Sequence, residues 1–68
     1  MADPTYKKIE LVGTSSESFS AAAANAIAKA SETLHNLSWF EVVEHRGSIA
    51  DGKIKQYQVT VKIGFRVD

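Results

Sequence analysis

Apolar and polar residues alternate in the N-terminal part of the chain and then change to a helical spacing. The alternation from Thr5 to Val12 predicts a β-strand, which Gly13 ends. From about Glu17 to about Leu34, apolar residues recur at steps of three and four, and alanine is abundant. This second pattern predicts a thin helix that lets a strand approach closely.

The ends of this helix carry recognisable signals. Thr14 followed by Glu17 fits a capping box, and Ser15 or Ser16 could serve as the cap instead. At the other end, Asn36 is suited to the left-handed conformation that often closes a helix.

The C-terminal half predicts a long β-hairpin. One strand runs from about Ser38 to Ile49, and Lys53 to Val67 is the other strand. The residues between them, 50–52, form the turn, in which Asp-Gly is the hairpin signal. The last strand alternates most clearly, so its apolar face should cover the helix and its polar face should point away. The apolar set is Tyr57, Val59, Val61, Ile63, Phe65 and Val67, and the other is Gln56, Gln58, Thr60, Lys62, Gly64 and Arg66.

These elements predict an α+β fold of order β-α-β-β. We expect one domain over residues 1–68, with residues 1–4 as a loose lead-in. A chain of 68 residues without cysteine is marginally stable alone. Strands of about a dozen residues exceed the usual five or six. Since one helix covers only one face of such strands, we expect the subunit to form oligomers.

Charge and hydropathy narrow the class of protein. Eight acidic and eight basic residues give no net charge, which does not favour nucleic acid or membrane surfaces as partners. The chain has no apolar run of 18 residues, and the N-terminus lacks an apolar signal core. We therefore expect a soluble protein of the cytoplasm.

The single tryptophan, Trp39, is the most informative side chain. It lies between Ser38 and Phe40, in the segment LSWFEVVEHRG. Tryptophan is usually part of a core, so one interpretation is that Trp39 covers the core edge. The polar neighbours Ser38 and Glu41 make a half-exposed binding site the competing candidate. From these residues alone, the core-edge interpretation is preferred.

Catalytic and metal chemistry find little support in the sequence. Ser15 and Ser16 lack a nucleophile motif around them, and His35 and His45 lack ligand spacing to carboxylates. On a regular strand, Glu41 and Glu44 point to opposite faces. We therefore predict neither an enzyme nor a metal site.

A group of candidate ligand-binding residues remains on the hairpin. An indole stacks on flat rings, a glutamine amide matches the edge of a polar heterocycle, and arginine grips phosphate. On a regular strand Trp39 and Arg46 would point to opposite faces, so a bulge, a strong twist or donation of Arg46 to a neighbouring subunit is required. The candidate residues are Trp39, Arg46, Gln56, Gln58 and Arg66.

Three segments together resemble the dodecins, a family of small flavin-binding proteins. They are KKIELVGTSSESF, LSWFEVVEHRG and YQVTVKIGFRVD, and the resemblance extends from Tyr6 to Val67. It implies a three-stranded antiparallel sheet wrapped partly around one helix. It also implies a hollow homododecamer of cubic symmetry, with flavins paired at two-fold axes between indoles from different subunits.

The resemblance also implies residue roles. Trp39 is the stacking indole, and Gln58 bonds the edge of the isoalloxazine ring. In having an arginine at position 46, the chain resembles the bacterial members of the family, which favour the phosphorylated flavin FMN. Archaeal members lack this arginine and accept shorter flavins such as riboflavin. Gln56 and Arg66 are weaker assignments. The implied role is storage or sequestration of flavin and quenching of its photochemistry.

Two other functions compete with flavin storage. Trp39 and Phe40 could form a stacking platform for single-stranded nucleic acid, although the zero net charge argues against it. A flavin-dependent redox enzyme would need a substrate cavity beside the ring, and a ring sandwiched on both faces leaves little room. The sequence leaves open whether a second ligand, such as a coenzyme A-type nucleotide, also binds.

Overall fold

The computed structural model describes residues 3–67 and contains one helix and three strands. They are β1 (Thr5–Ser15), α1 (Phe19–Ser31), β2 (Leu37–Ala50) and β3 (Lys53–Val67). The strands form one sheet in the order β1-β3-β2, and both pairs are antiparallel. The predicted α+β fold of order β-α-β-β is confirmed. Met1 and Ala2 of the predicted lead-in lie outside the described residues.

The helix begins later and ends earlier than its sequence pattern predicts. Ser18 is the N-cap, and its hydroxyl accepts a hydrogen bond from the Ala21 amide at 3.0 Å. The predicted caps are therefore wrong, because β1 continues through Gly13 to Ser15 and leaves only three residues before α1. After Ser31, the amides of Thr33 and Leu34 still bond to the Ala30 carbonyl, so the apolar spacing continues beyond the helix proper. Across residues 3–67, no helix is long and apolar enough to cross a membrane.

The helix lies very close to the sheet because the facing residues are small. Its buried residues are all alanines, and a methyl group added at Gly13 would clash with the backbone carbonyl of Ala22 and lie 2.8 Å from the Ala26 Cβ. Against this thin helix, the sheet contributes the bulky apolar side chains of β3. The buried core consists of Ala22, Ala26 and Ala30 from α1 and Val59, Val61 and Ile63 from β3.

The helix covers only part of this face of the sheet. It packs on β1 and β3, and an apolar groove separates it from β2. Phe40 and Val42 on β2 line that groove and remain 48% and 43% exposed, together with Phe19 and Ile27 from the helix. The subunit thus leaves a continuous apolar surface without cover on the same face as the helix, whereas the sequence analysis expects the uncovered surface on the opposite face.

Two residues other than glycine, Asn36 and Asp51, adopt positive φ angles where the chain turns. Asp51 and Gly52 have φ values of 53° and 72° between the paired residues Ala50 and Lys53. The turn lies at the predicted Asp-Gly signal but has two residues, because Ala50 belongs to β2 rather than to the turn. Asn36 has a φ of 62° and lies in the connection before β2 rather than at the end of the helix.

We predict that Gly13→Ala destabilises the subunit, because the added methyl group has no space beneath Ala22. Overpacking of this kind costs about 1–3 kcal/mol. Chemical denaturation at a fixed protein concentration measures the loss. The control is Thr14→Ala, which places an alanine at the next position on the opposite, exposed face. Equal stability of Gly13→Ala and wild type would contradict the close helix–sheet contact.

Candidate functional site

A bulge in β2 brings the two candidate residues Trp39 and Arg46 to the same face. The pairing with β3 shifts between Val42 and Glu44, so Val43 has no partner of its own. On either side of this bulge, Trp39 lies opposite Gly64 and Arg46 lies opposite Gln58. Since Gly64 and Gln58 are an even number of residues apart on β3, both pairs lie on the face that points away from α1.

The same bulge corrects the prediction for the two glutamates. Glu41 lies opposite Lys62 and Glu44 opposite Thr60, so both carboxylates occupy the face away from α1. The prediction that they point to opposite faces is wrong, because it assumed an unbroken alternation through Val43. This face is therefore richer in charge than the sequence analysis expects.

Three neighbours hold the Trp39 side chain in place. A methyl group added at Gly64 would clash with the six-membered ring of the indole, so this ring lies directly over the Gly64 backbone. The Tyr6 ring meets the indole edge-on, with ring centroids 5.0 Å apart. The indole Nε1–H donates a hydrogen bond to Glu41 Oε2 at 3.0 Å. The indole remains 38% exposed, so one face is seated on the sheet and the other is open to a ligand.

Glu41 links Trp39 to a lysine on the far edge of the sheet. Lys8 Nζ lies 2.9 Å from the same Oε2 atom that accepts the indole hydrogen bond. The hydrogen bonds from Trp39 and Lys8, with the charges of Lys8 and Lys62, hold the pKa of the Glu41 carboxyl below its usual range. The carboxylate is therefore charged at neutral pH and stays charged until the pH falls below that range.

The second group of candidate residues forms a hydrogen-bonded row near the hairpin turn. Arg46 Nε donates to Gln58 Oε1 at 2.8 Å, and Gln58 Nε2 donates to Gln56 Oε1 at 2.9 Å. Arg46 also lies 3.4 Å from a carboxylate oxygen of Glu44. The row orients the Gln58 amide and holds the guanidinium beside it, which suits a planar ligand with a polar edge and an anionic tail.

The five candidate residues do not form one pocket within a subunit. Gly64 beneath Trp39 is six residues from Gln58 along β3, which corresponds to about 20 Å at the rise of a β-strand. Arg66 belongs to the tryptophan end, where it pairs with Tyr6 in the sheet and its amide bonds to the Asn36 carbonyl. One flat ring cannot contact both Trp39 and Gln58 of the same chain.

Several residues that shape the tryptophan end were missed by the sequence analysis. Gly64 was counted only as a position on the polar face of β3, and Tyr6 and Lys8 only as strand residues. The available signal was their spacing: in antiparallel pairing, the N-terminal strand brings Tyr6 and Lys8 beside the end of β3 that also receives Trp39. That signal requires the strand order, which places β3 in the centre.

The fold and the two groups of side chains define a class of protein. It is a small β-α-β-β subunit that presents a seated, half-exposed indole and, at a distance, an amide–guanidinium row for a flat, polar-edged ligand. The dodecin family model matches residues 5–68, and the chain belongs to that family. Dodecins are flavin-binding proteins.

Individual relatives agree with this assignment. The chain is 52% identical to the dodecin of Thermus thermophilus over 63 residues, covering 93% of this chain and 91% of the relative. The solved structure of the dodecin from Streptomyces davaonensis has a TM-score of 0.94 and 54% identity, with 98% of each chain covered. The dodecin of Streptomyces coelicolor has a TM-score of 0.95 and 46% identity, covering 100% of this chain and 97% of its own.

We predict that Gly64→Ala displaces the indole without unfolding the sheet. The added methyl group occupies the seat of the ring, so Trp39 should move outwards and become more accessible to solvent. Because Trp39 is the only tryptophan, acrylamide quenching of its fluorescence measures this directly. Lys62→Ala, which also places an alanine on the same face of β3, is the control. An unchanged accessibility in Gly64→Ala would mean that the indole does not lie on Gly64.

Proposed function

We propose that this chain binds flavin by stacking the isoalloxazine ring on the exposed face of Trp39. The observation that carries this proposal is the seating of the indole, which lies over Gly64, meets Tyr6 at its edge and leaves one face open. A ring that is already oriented loses little freedom on binding, and aromatic stacking adds about 0.5–1.5 kcal/mol beyond buried area.

Each flavin site combines residues from different subunits. Because Trp39 and Gln58 of one chain lie too far apart for one ring, the stacking indole and the amide at the ring edge belong to different chains. This arrangement agrees with the pairing of flavins at two-fold axes that the family resemblance implies. It also makes the site dependent on assembly, since a lone subunit offers only half of the contacts.

FMN is the favoured ligand because of Arg46. The guanidinium is fixed by its bond to Gln58, and its contact with the Glu44 carboxylate is long at 3.4 Å and exposed. An exposed pair of this kind contributes little, so a phosphate can replace Glu44 at low cost. Gln56 supports the same row by holding the Gln58 amide, whereas Arg66 belongs to the tryptophan end. Riboflavin or other flavins, lacking this contact, should bind more weakly.

The protein stores or sequesters flavin and is not an enzyme. A bound flavin would supply a ring that absorbs light. The stacked indole of Trp39 would donate one electron to the excited ring, and the return of that electron would leave both groups in their ground states. A ring covered on both faces has no place for a second substrate, which argues against the redox enzyme as the alternative. Binding of a coenzyme A-type nucleotide and location in the cytoplasm stay predictions.

The assembly that completes these sites is a homododecamer. The apolar groove between α1 and β2 is a large surface for one subunit to leave exposed, and Ile49 and Ile54 beyond the helix are 76% and 60% exposed. Burial of such surfaces by other copies would stabilise a chain whose own core is small. The number twelve comes from the family resemblance.

We expect native mass spectrometry to show a particle of twelve chains. Phe40→Glu should break this particle apart, because it places a charge in the apolar groove. Lys29→Glu, which alters charge on the exposed part of the helix away from the groove, should leave the particle intact. A stable wild-type monomer at micromolar concentration would contradict both the assembly and the shared sites.

Arg46→Ala should weaken FMN more than riboflavin. Hydrogen bonds to charged groups contribute about 1.5–3 kcal/mol, so we expect an FMN-selective loss of roughly tenfold or more in Kd. Titration of both ligands by flavin fluorescence measures the difference. Glu44→Gln is the matched variant: it removes the competing carboxylate and should tighten FMN alone. Equal losses for FMN and riboflavin in Arg46→Ala would remove Arg46 from phosphate binding.

Trp39 variants test the stacking and the quenching separately. Trp39→Ala should lose affinity and restore fluorescence to the flavin that remains bound. Trp39→Phe should keep part of the affinity but lose most of the quenching, because a phenyl ring is a poorer electron donor than indole. Gln58→Ala should cost affinity while bound flavin stays dark. Full quenching by Trp39→Phe, measured at saturation, would show that the indole is not the quenching group.

A further inference from the structure

The carboxylate of Glu41 makes a contact that flavin stacking alone does not require. It accepts the indole Nε1–H of Trp39 at 3.0 Å and lies 2.9 Å from Lys8 Nζ through the same oxygen, Oε2. The three side chains come from two different strands, β2 and the opposite edge strand β1, and meet across Gly64 of β3. A side chain at Gly64 would prevent these three side chains from meeting, since its Cβ would occupy the place of the indole.

This contact distinguishes the two orientations of the indole that are related by a half-turn about its Cβ–Cγ bond. Gly64 supports the ring from below and Tyr6 touches its edge, but neither makes a polar contact with Nε1. A hydrogen bond at Nε1 selects one of these orientations, and a bond to an ionised acceptor is shorter and stronger than a neutral one. Glu41 therefore holds the indole in one orientation before any ligand arrives.

The charge of Glu41 bears on electron donation as well as on orientation. When Trp39 donates one electron to a photoexcited flavin, the indole becomes a cation, and the electron later returns, so neither partner is changed overall. A carboxylate bonded to Nε1–H stabilises that cation and so favours the donation. Lys8, bound to the same oxygen, partly neutralises the carboxylate and works in the opposite direction.

We propose that Glu41 is a positioning residue for Trp39 that also sets how readily the indole donates an electron, and that Lys8 moderates this effect. The proposal rests on the function proposed above, because it concerns quenching of a flavin stacked on Trp39. It adds to that function a residue pair that determines how fast a bound flavin becomes dark.

The test uses the assembled protein with Glu41→Gln and Lys8→Met. Without flavin, the indole N–H signal in ¹⁵N–¹H NMR should shift and exchange faster with water in Glu41→Gln, and should change little in Lys8→Met. With FMN at saturation, the fluorescence lifetime of the bound flavin should become several-fold longer in Glu41→Gln and shorter in Lys8→Met. Glu10→Gln, which removes a carboxylate from the same face without contacting Trp39, should leave both signals unchanged.

Each contrary result overturns a stated part of the proposal. An unchanged indole N–H signal in Glu41→Gln shows that Glu41 does not hold Trp39. A longer lifetime in both Glu41→Gln and Lys8→Met overturns the electrostatic part, because loosening the indole would then explain both. A wild-type protein that does not bind FMN overturns the proposed function, whereas the N–H signal of the flavin-free protein still decides whether Glu41 positions the indole.

Discussion

The interruption of β2 at Val43 is the local feature on which the arrangement of the binding face depends. An unbroken strand would place Trp39 and Arg46 on opposite sides of the sheet, one toward the helix and the other away from it. With one extra residue, the indole, both glutamates and the guanidinium all lie on the face away from α1. The opposite face of β2 keeps Phe40 and Val42 for contacts beside the helix.

In the proposed function, binding and assembly are therefore linked through a single strand. One face of β2 carries groups for a flat, polar ligand, and the other carries apolar groups that α1 does not reach. The two groups of candidate residues lie at opposite ends of the same hairpin. In the proposed function, formation of an oligomer both covers the apolar face and brings an indole and an amide to one ligand.

The long alternation in β3, the alanine-rich helix and the Asp-Gly turn predicted the fold, because each is a local pattern with one dominant structural solution. The boundaries of α1 were less predictable, since Ser15, Ser16 and Ser18 are all chemically suitable caps and only the length of β1 decides among them. Val43 gives no local sign of a bulge, so the shared face of Trp39 and Arg46 could only be posed as an alternative. The position of Tyr6 and Lys8 beside Trp39 follows only from the strand order.

The helix–sheet contact has an unusual sensitivity to change. On the helix side, Ala22, Ala26 and Ala30 contribute almost no side-chain volume, and Gly13 contributes none from β1. Truncation of a core residue normally leaves a void, but these positions have no methylene groups to remove. Apart from replacement of an alanine by glycine, every substitution at these sites adds volume, and it pushes two rigid elements apart rather than leaving a local hole. Substitutions of these small residues therefore tend to increase the distance between helix and sheet. On the sheet side, the larger residues Val59, Val61 and Ile63 can instead be truncated, which would leave a cavity.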